Sequence, residues 1–179
     1  MNKKVWVGVL VGAIVLLLAS KARAAKASVS VVSKMNKKLT DYQRTNALLI
    51  EQEFRKAGLP NNLIAAALVN AWAESKFNAA SGTGDGGHSI GLFQLNDNGG
   101  AGTGLSVEYR LDPINNIRTI LTREVLTDRG KELRKRAQEG AGVEELAGIF
   151  SRDIERPGDV QGAINARQAL ALTMFPNPV

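Results

Sequence analysis

Leu63-Ile-Ala-Ala-Ala-Leu-Val-Asn-Ala-Trp-Ala73 is a nearly uninterrupted apolar run that ends on Glu74. Asn61 or Asn62 can cap it, and the pattern predicts a helix from there to about Phe77. A helix that is apolar almost all round is buried, so this one is expected to be the central helix of the fold. A Gly-rich stretch follows at once, Ser81-Gly-Thr-Gly-Asp-Gly-Gly87, and then the run Gly91-Leu-Phe-Gln-Leu-Asn96. Glu74 is therefore a carboxylate closing a buried helix above a Gly-rich loop. Desolvation in such a setting disfavours the charged form and keeps the acid protonated near neutrality.

Outward from this run the chain reads as helical. Residues 39–57 carry apolar positions at Ala47, Ile50, Phe54 and Ala57, with Thr40 or Asp41 as cap and Gly58 then Pro60 as stop. A second Gly-rich loop spans residues 98–104. Asp112-Pro113 starts a helix, Asp as cap and Pro at the first helical position, with Ile114, Ile117, Leu121 and Val125 on one face. A charged helix is expected over 131–138 and an amphipathic one over 143–154, ending at Arg156-Pro157-Gly158. Asp159 can cap a last helix carrying Val160, Ile164 and Leu170. No strand alternation stands out. The expected fold class is all-α, one helical domain with two Gly-rich loops and little or no sheet.

The chain has 179 residues, 44% hydrophobic and 22% charged, a globular composition. A domain near this size buries roughly 68–70% of its unfolded surface, enough for a real core. There are no cysteines and one histidine, His88, which excludes disulfides, thiolate sites, a cysteine nucleophile and a multi-histidine metal site. No cofactor is implied. The net charge of +6 suits an anionic polymer or membrane face without choosing between them. Aromatics are only 5% and do not interleave with the basic run Arg134-Lys-Arg136, so no nucleic-acid partner is required.

Residues 5–19 hold no charged or strongly polar side chain; Lys3 and Lys4 precede them, and Lys21, Arg23 and Lys26 follow. Fifteen helical residues reach only about 22 Å against a ~30 Å hydrocarbon core, but flanking lysines can snorkel. The favoured reading is a single-pass membrane anchor over residues 1–26, with a cleaved signal peptide as the rival. A Ser/Val linker over 27–37 and a domain over 38–179 complete the expected organisation.

Four motifs carry a family resemblance. Glu74-Ser75 followed by Gly91-Leu-Phe-Gln94 resembles the lysozyme-like superfamily of lytic transglycosylases and goose-type lysozymes. Asp85-Gly-Gly-His-Ser-Ile-Gly-Leu-Phe-Gln94 is similar to the loop leading into that turn in goose-type and phage tail lysozymes. Asp112-Pro-Ile-Asn-Asn-Ile117 resembles a helix start of transglycosylases, and Phe150-Ser-Arg-Asp-Ile-Glu-Arg-Pro-Gly158 a closing motif of phage tail lysozymes. The resemblance implies a muramidase acting on peptidoglycan glycan strands, tethered through residues 5–19 in a virion membrane or a bacterial envelope. It makes Glu74 the general acid and matches Asp85 to a second acidic position, with Asn96 where goose-type enzymes carry another Asp and Asp97 one place beyond. Ser81, His88, Gln94, Asn96 and Asp97 are the candidate substrate contacts. Asp85 can also be a turn residue, Gln94 an amide tying loop to helix, His88 a loop hydrogen-bonder, Asn116 structural, and Glu155-Arg156 an ion pair packing the last helices. Hydrolysis with two carboxylates and a transglycosylase route on Glu74 alone both stay open. So does a non-enzymatic envelope or virion protein holding membrane or wall.

Overall fold

Thr40 begins the first long helix through a reciprocal cap. Its Oγ1 accepts from the Gln43 backbone at 3.2 Å, and its own backbone N–H donates to Gln43 Oε1 at 3.0 Å. The computed structural model describes residues 29–81 and 85–179. The segment read as an anchor lies outside the described residues, as do Gly82, Thr83 and Gly84. Among the described residues no helix is long and apolar enough to cross a membrane.

Helix α1 (Asp41–Lys56) buries Ala47, Ile50 and Phe54, as their spacing requires. It also buries Glu51, whose carboxylate accepts from the backbone N–H groups of Val31 (3.1 Å) and Val32 (2.9 Å). Val31 and Val32 are themselves buried. Part of the segment expected to be a linker with few packing cues thus packs onto the domain, because two apolar side chains and a buried carboxylate give it partners.

Helix α2 (Asn61–Ser75) is buried without a break from Leu63 to Ala71 and lies at the centre of the core. Its N-cap is Pro60 rather than an asparagine; the Asn62 amide instead bridges to the Ala137 and Ala141 carbonyls, at 3.0 Å each. It ends two residues earlier than the sequence pattern predicts. Lys76 and Phe77 both turn left-handed (φ 55° and 58°), a conformation disfavoured for bulky residues. Burial of the Phe77 ring offsets that cost. The ring packs edge-on to Trp72 at 5.4 Å, and Asn46 Nδ2 donates to the Phe77 carbonyl at 2.8 Å.

A two-residue hairpin follows, β1 (Ser89–Ile90) antiparallel to β2 (Leu95–Asn96), with Ser89 opposite Asn96 and Ile90 opposite Leu95. Strands this short show no alternation. Helix α3 (Val107–Leu111), capped by Ser106, was not legible. Helix α4 (Pro113–Ile120) starts on Asp112, whose Oδ1 accepts from the Asn115 backbone at 2.8 Å, and runs on as a π turn, Leu121–Val125. Ile117, Leu121 and Val125 are buried on the expected face; Ile114 is only half-buried.

Helix α5 (Lys131–Gln138) turns Leu133 and Ala137 inward. Helix α6 (Val143–Phe150) also passes into a π turn, Ser151–Glu155, stopped by left-handed Arg156. Helix α7 (Val160–Met174) is capped by Asp159, which accepts from the Gly162 backbone at 2.9 Å. Val160, expected on its apolar face, is exposed; the helix buries Ala171 and Met174 at its other end.

Helices α6 and α7 pack on each other and both pack on α2, while α1 covers another side. Phe54, Phe93 and Phe150 stack in series, with centroids 6.2 and 6.0 Å apart, so the turn between the β strands is locked to α1 and α6. Among the described residues the fold is all-α apart from this hairpin.

Candidate functional site

Ser75 ends α2 with its side chain turned inward, so that Glu74 faces outward at the mouth. The Ser75 hydroxyl donates to the Ala71 carbonyl (3.0 Å) and the Leu92 carbonyl (2.9 Å), one within the helix and one on the hairpin turn. Behind that turn, buried Asn116 accepts from the Phe93 backbone (3.0 Å) and donates to the carbonyls of Arg110 (2.8 Å) and Ile90 (3.3 Å). Gly91, at φ 86°, backs onto Asn116 so closely that a Cβ would lie 2.1 Å from its amide nitrogen. Only glycine fits there.

The result is a cleft of about 560 Å³. One wall is Glu74, Phe93, Gln94 and Asn96; the second Gly-rich loop contributes residues 98–101; the facing wall is residues 154–158. The volume lies within the usual range of small-ligand sites, about 300–1,000 Å³.

Arg167, from α7, crosses behind Glu74. Its Nη2 donates to Glu74 Oε1 and, at 3.1 Å, to Glu155 Oε2; its Nε donates to Asn70 Oδ1 at 3.1 Å. The side chains of Glu74 and Glu155 are 24% and 11% exposed. Burial raises Glu74 above its ordinary value, although Arg167 pulls it down. Burial first, and then the charge of Glu74, pushes Glu155 up to about 7. The two carboxyls titrate as a pair.

Glu155 does not pair with Arg156, as adjacency in the sequence invites. The π turn points it at Arg167, and the left-handed turn at Arg156 sends that guanidinium to Glu124, at 2.9 and 3.2 Å. Glu155 and Arg167 are the members of the cluster that sequence reasoning missed. The closing motif marked Glu155 as notable; nothing local marked Arg167.

The candidate residues of the Gly-rich region divide into groups. Gln94 and Asn96 line the cleft with Glu74. Gln94 is left-handed (φ 45°), and its amide donates to the carbonyls of Gly91 (2.9 Å) and Ser81 (3.3 Å), tying the first Gly-rich loop to the turn. Asn96 donates to Ser89 Oγ at 3.0 Å and accepts from the Asn98 backbone at 2.7 Å.

His88 and Asp97 are not among the cleft-lining residues. His88 Nδ1 is 2.7 Å from Asp97 Oδ1, and Asp97 Oδ2 accepts from fully buried Arg110 at 2.6 Å. The His88 contact first, and Arg110 beside it, hold the Asp97 carboxyl below its ordinary range. Arg110 also donates to the carbonyls of His88 (2.6 Å) and Leu95 (2.9 Å), so this trio braces the hairpin from behind. Asp85 opens the turn Asp85–Gly87, and its side chain lies outside what is described.

The basic run is largely occupied within the fold. Arg134 donates to the Val125 and Thr127 carbonyls, and Arg136 pairs with Glu139 and Glu145. Trp72 is half-buried at another part of α2, with the Lys37 and Lys76 ammonium groups 5.7 and 5.6 Å from its ring, and is not among the cleft-lining residues. Among the described residues no group of three or more His, Cys, Asp or Glu side chains is placed to hold a metal ion.

Comparison with curated proteins and with solved structures finds no match. The family model for phage tail lysozymes matches residues 45–177, a span running from α1 through the end of α7 and containing every described wall of the cleft. By that match, the chain belongs to the phage tail lysozyme family.

Proposed function

We propose that this chain is a muramidase that cleaves the MurNAc–GlcNAc bond of peptidoglycan, with Glu74 as the general acid. Family membership supports a lysozyme-like, peptidoglycan-degrading glycosidase. The observation that carries the finer reading is the Glu74 carboxyl, which lines an open cleft yet is raised by burial even with a guanidinium beside it. A carboxyl whose proton is held more firmly by burial can protonate the leaving oxygen as an oxocarbenium-like centre develops. After that transfer the Glu74 carboxylate is stabilised by Arg167, already in contact with it. The anionic form can then take a proton from the incoming nucleophile.

Two nucleophiles fit this sequence of steps. In the transglycosylase route the nucleophile is the muramic acid 6-hydroxyl, Glu74 acts alone, and an anhydro sugar forms. In the hydrolytic route it is water, and Asp85 is the second carboxylate. Gln94 and Asn96, on the same wall as Glu74, are proposed as glycan contacts; Ser81, His88 and Asp97 hold the loop and hairpin that carry them. The proposed setting is a virion or envelope enzyme, tethered through residues 5–19, that opens the wall so that DNA passes into the cell.

The test is incubation of the full chain with purified peptidoglycan, followed by mass spectrometry of the released fragments. Anhydromuramic ends mark the transglycosylase route and reducing ends mark hydrolysis. Glu74→Gln is expected to lower the rate by about 10²–10⁴-fold, the usual worth of a general acid, with an unchanged fold. Full activity in a folded Glu74→Gln variant refutes the assignment. Asp85→Asn is expected to abolish hydrolysis if water is the nucleophile and to leave anhydro-product formation intact otherwise.

A further inference from the structure

Glu74 and Glu155 are far apart in the chain and meet on a single nitrogen. Arg167 Nη2 donates to both, and Arg167 is itself held through Nε by Asn70. Asn70 is fully buried, and its amide nitrogen donates to the Ala66 carbonyl (2.8 Å) on α2 and the Ala147 carbonyl (3.2 Å) on α6. The guanidinium is thus anchored to the scaffold and cannot follow either carboxyl away from the other.

The second oxygen of Glu155 tells what form that side chain takes. Glu155 Oε1 is buried out of solvent, and the side-chain groups that approach this carboxyl besides Arg167 are the Ser151 hydroxyl one turn before it and Glu74 itself. A buried, unsolvated oxygen on an ionised carboxylate is costly, more so than on a neutral carboxyl. Two carboxyls around one cation are neutral overall when they carry one proton between them. Burial and mutual repulsion both act in that direction.

The same geometry excludes another role for Glu155. Paired glycosidase carboxyls flank the scissile bond, about 5–5.5 Å apart in retaining enzymes and about 6.5–9.5 Å in inverting ones, with the sugar between them. Here the Glu74 and Glu155 carboxyls are within hydrogen-bond reach of each other, with Arg167 Nη2 donating to both, so no sugar fits between them.

We propose that Glu155 is a positioning residue: held beside Glu74 by Arg167, it shares one proton directly with that carboxyl, orients it at the cleft, and returns it to the acid form between turnovers. This rests on the reading of Glu74 as the general acid. The charged groups facing the pair are Lys76 at the end of α2, Arg167 on α7, and Arg156 on the facing wall, which is engaged by Glu124. The described part of the Gly-rich wall adds only neutral side chains, including Asn96 and Asn98. The proton balance closes: Glu74 gives its proton to the leaving oxygen, and the pair regains one from the nucleophile.

The experiment is a carboxyl-carbon NMR titration of the full chain labelled at glutamate, with Glu74→Gln and Glu155→Gln assigning the two signals. It is read beside the pH profile of kcat/KM on peptidoglycan. In the wild type the two signals are expected to move together in two steps, the upper one well above an ordinary glutamate. In Glu155→Gln, Glu74 is expected to titrate in one step about 1–3 units below that upper step. The alkaline limb of the profile is expected to fall by the same amount. Arg167→Gln is expected to move the upper step the opposite way, a pattern that loss of packing does not produce.

Independent single-step titration of the two assigned signals in the wild type overturns the proposal. So does an alkaline limb left in place by Glu155→Gln. Coupled titration in a protein that releases nothing from peptidoglycan refutes the muramidase reading and leaves the proton sharing established.

Discussion

The hydroxyl of Ser75 donates to the carbonyl of Leu92 at 2.9 Å, so the residue beside Glu74 is also the one that pins the hairpin turn to the end of helix α2. Acid and cleft wall are therefore tied directly to each other at this contact. Ser75→Ala leaves a buried carbonyl without that partner and is expected to cost about 1–3 kcal/mol. Urea denaturation measures the loss. Activity is expected to fall further than stability alone explains, because the turn carrying Gln94 is released relative to Glu74.

Gly91→Ala strains the same turn from behind. The added carbon meets Asn116 Nδ2 at 2.1 Å and the Arg110 carbonyl at 2.5 Å, at a backbone φ of 86° that side chains rarely adopt. Neither neighbour yields easily, since Asn116 is fully buried and three-fold bonded. A loss of at least about 2–4 kcal/mol is expected, from strained backbone plus overpacking. A thermal melt within a degree of wild type contradicts the packing described.

Stability is expected to fall as pH rises through neutrality. Glu155 is pushed up to about 7 from an ordinary 4.5, and Glu74 is raised as well. The folded protein therefore keeps a proton that the unfolded chain releases above about 4.5. This contribution is complete below that pH and is lost as pH climbs through about 7. The lowered carboxyls Glu53 and Asp97 act with the opposite sign, but only below their ordinary values. Chemical denaturation at pH 5 and pH 8 should show the wild type weaker at pH 8, and Glu155→Gln should flatten the difference. A wild type that gains stability over that interval rules out the raised pair.

Arg156→Ala removes the bidentate partner of Glu124, a carboxylate only 6% exposed. Arg129 remains at 3.5 Å, so the charge is not stranded completely. The expected cost is about 1–3 kcal/mol by denaturation. Because residues 154–158 form one wall of the cleft, KM for peptidoglycan should rise more than kcat falls. An unchanged KM would show that this wall does not meet the glycan.

Local signals in the sequence determined most helix starts and stops. Thr40, Asp112 and Asp159 cap where their spacing to the apolar runs places them, because capping is a matter of three or four neighbouring residues. The continuous burial of Leu63 to Ala71 was legible for a similar reason: an apolar stripe all round a helix has no solvent-tolerant face. That run, with the Gly-rich stretch after it, also singled out Glu74.

Tertiary structure alone decided what surrounds that carboxyl. Glu74 and Arg167 are 93 residues apart, and their contact exists because α7 packs across α2. Glu155 reaches them because α6 ends in a π turn and Arg156 turns left-handed, while His88 and Asp97, candidate substrate contacts by the family resemblance, are held behind the hairpin by the buried guanidinium of Arg110. Periodicity reports which face of a helix is apolar. It carries no record of which distant helix that face will meet, and the protonation of Glu74 depends on that meeting.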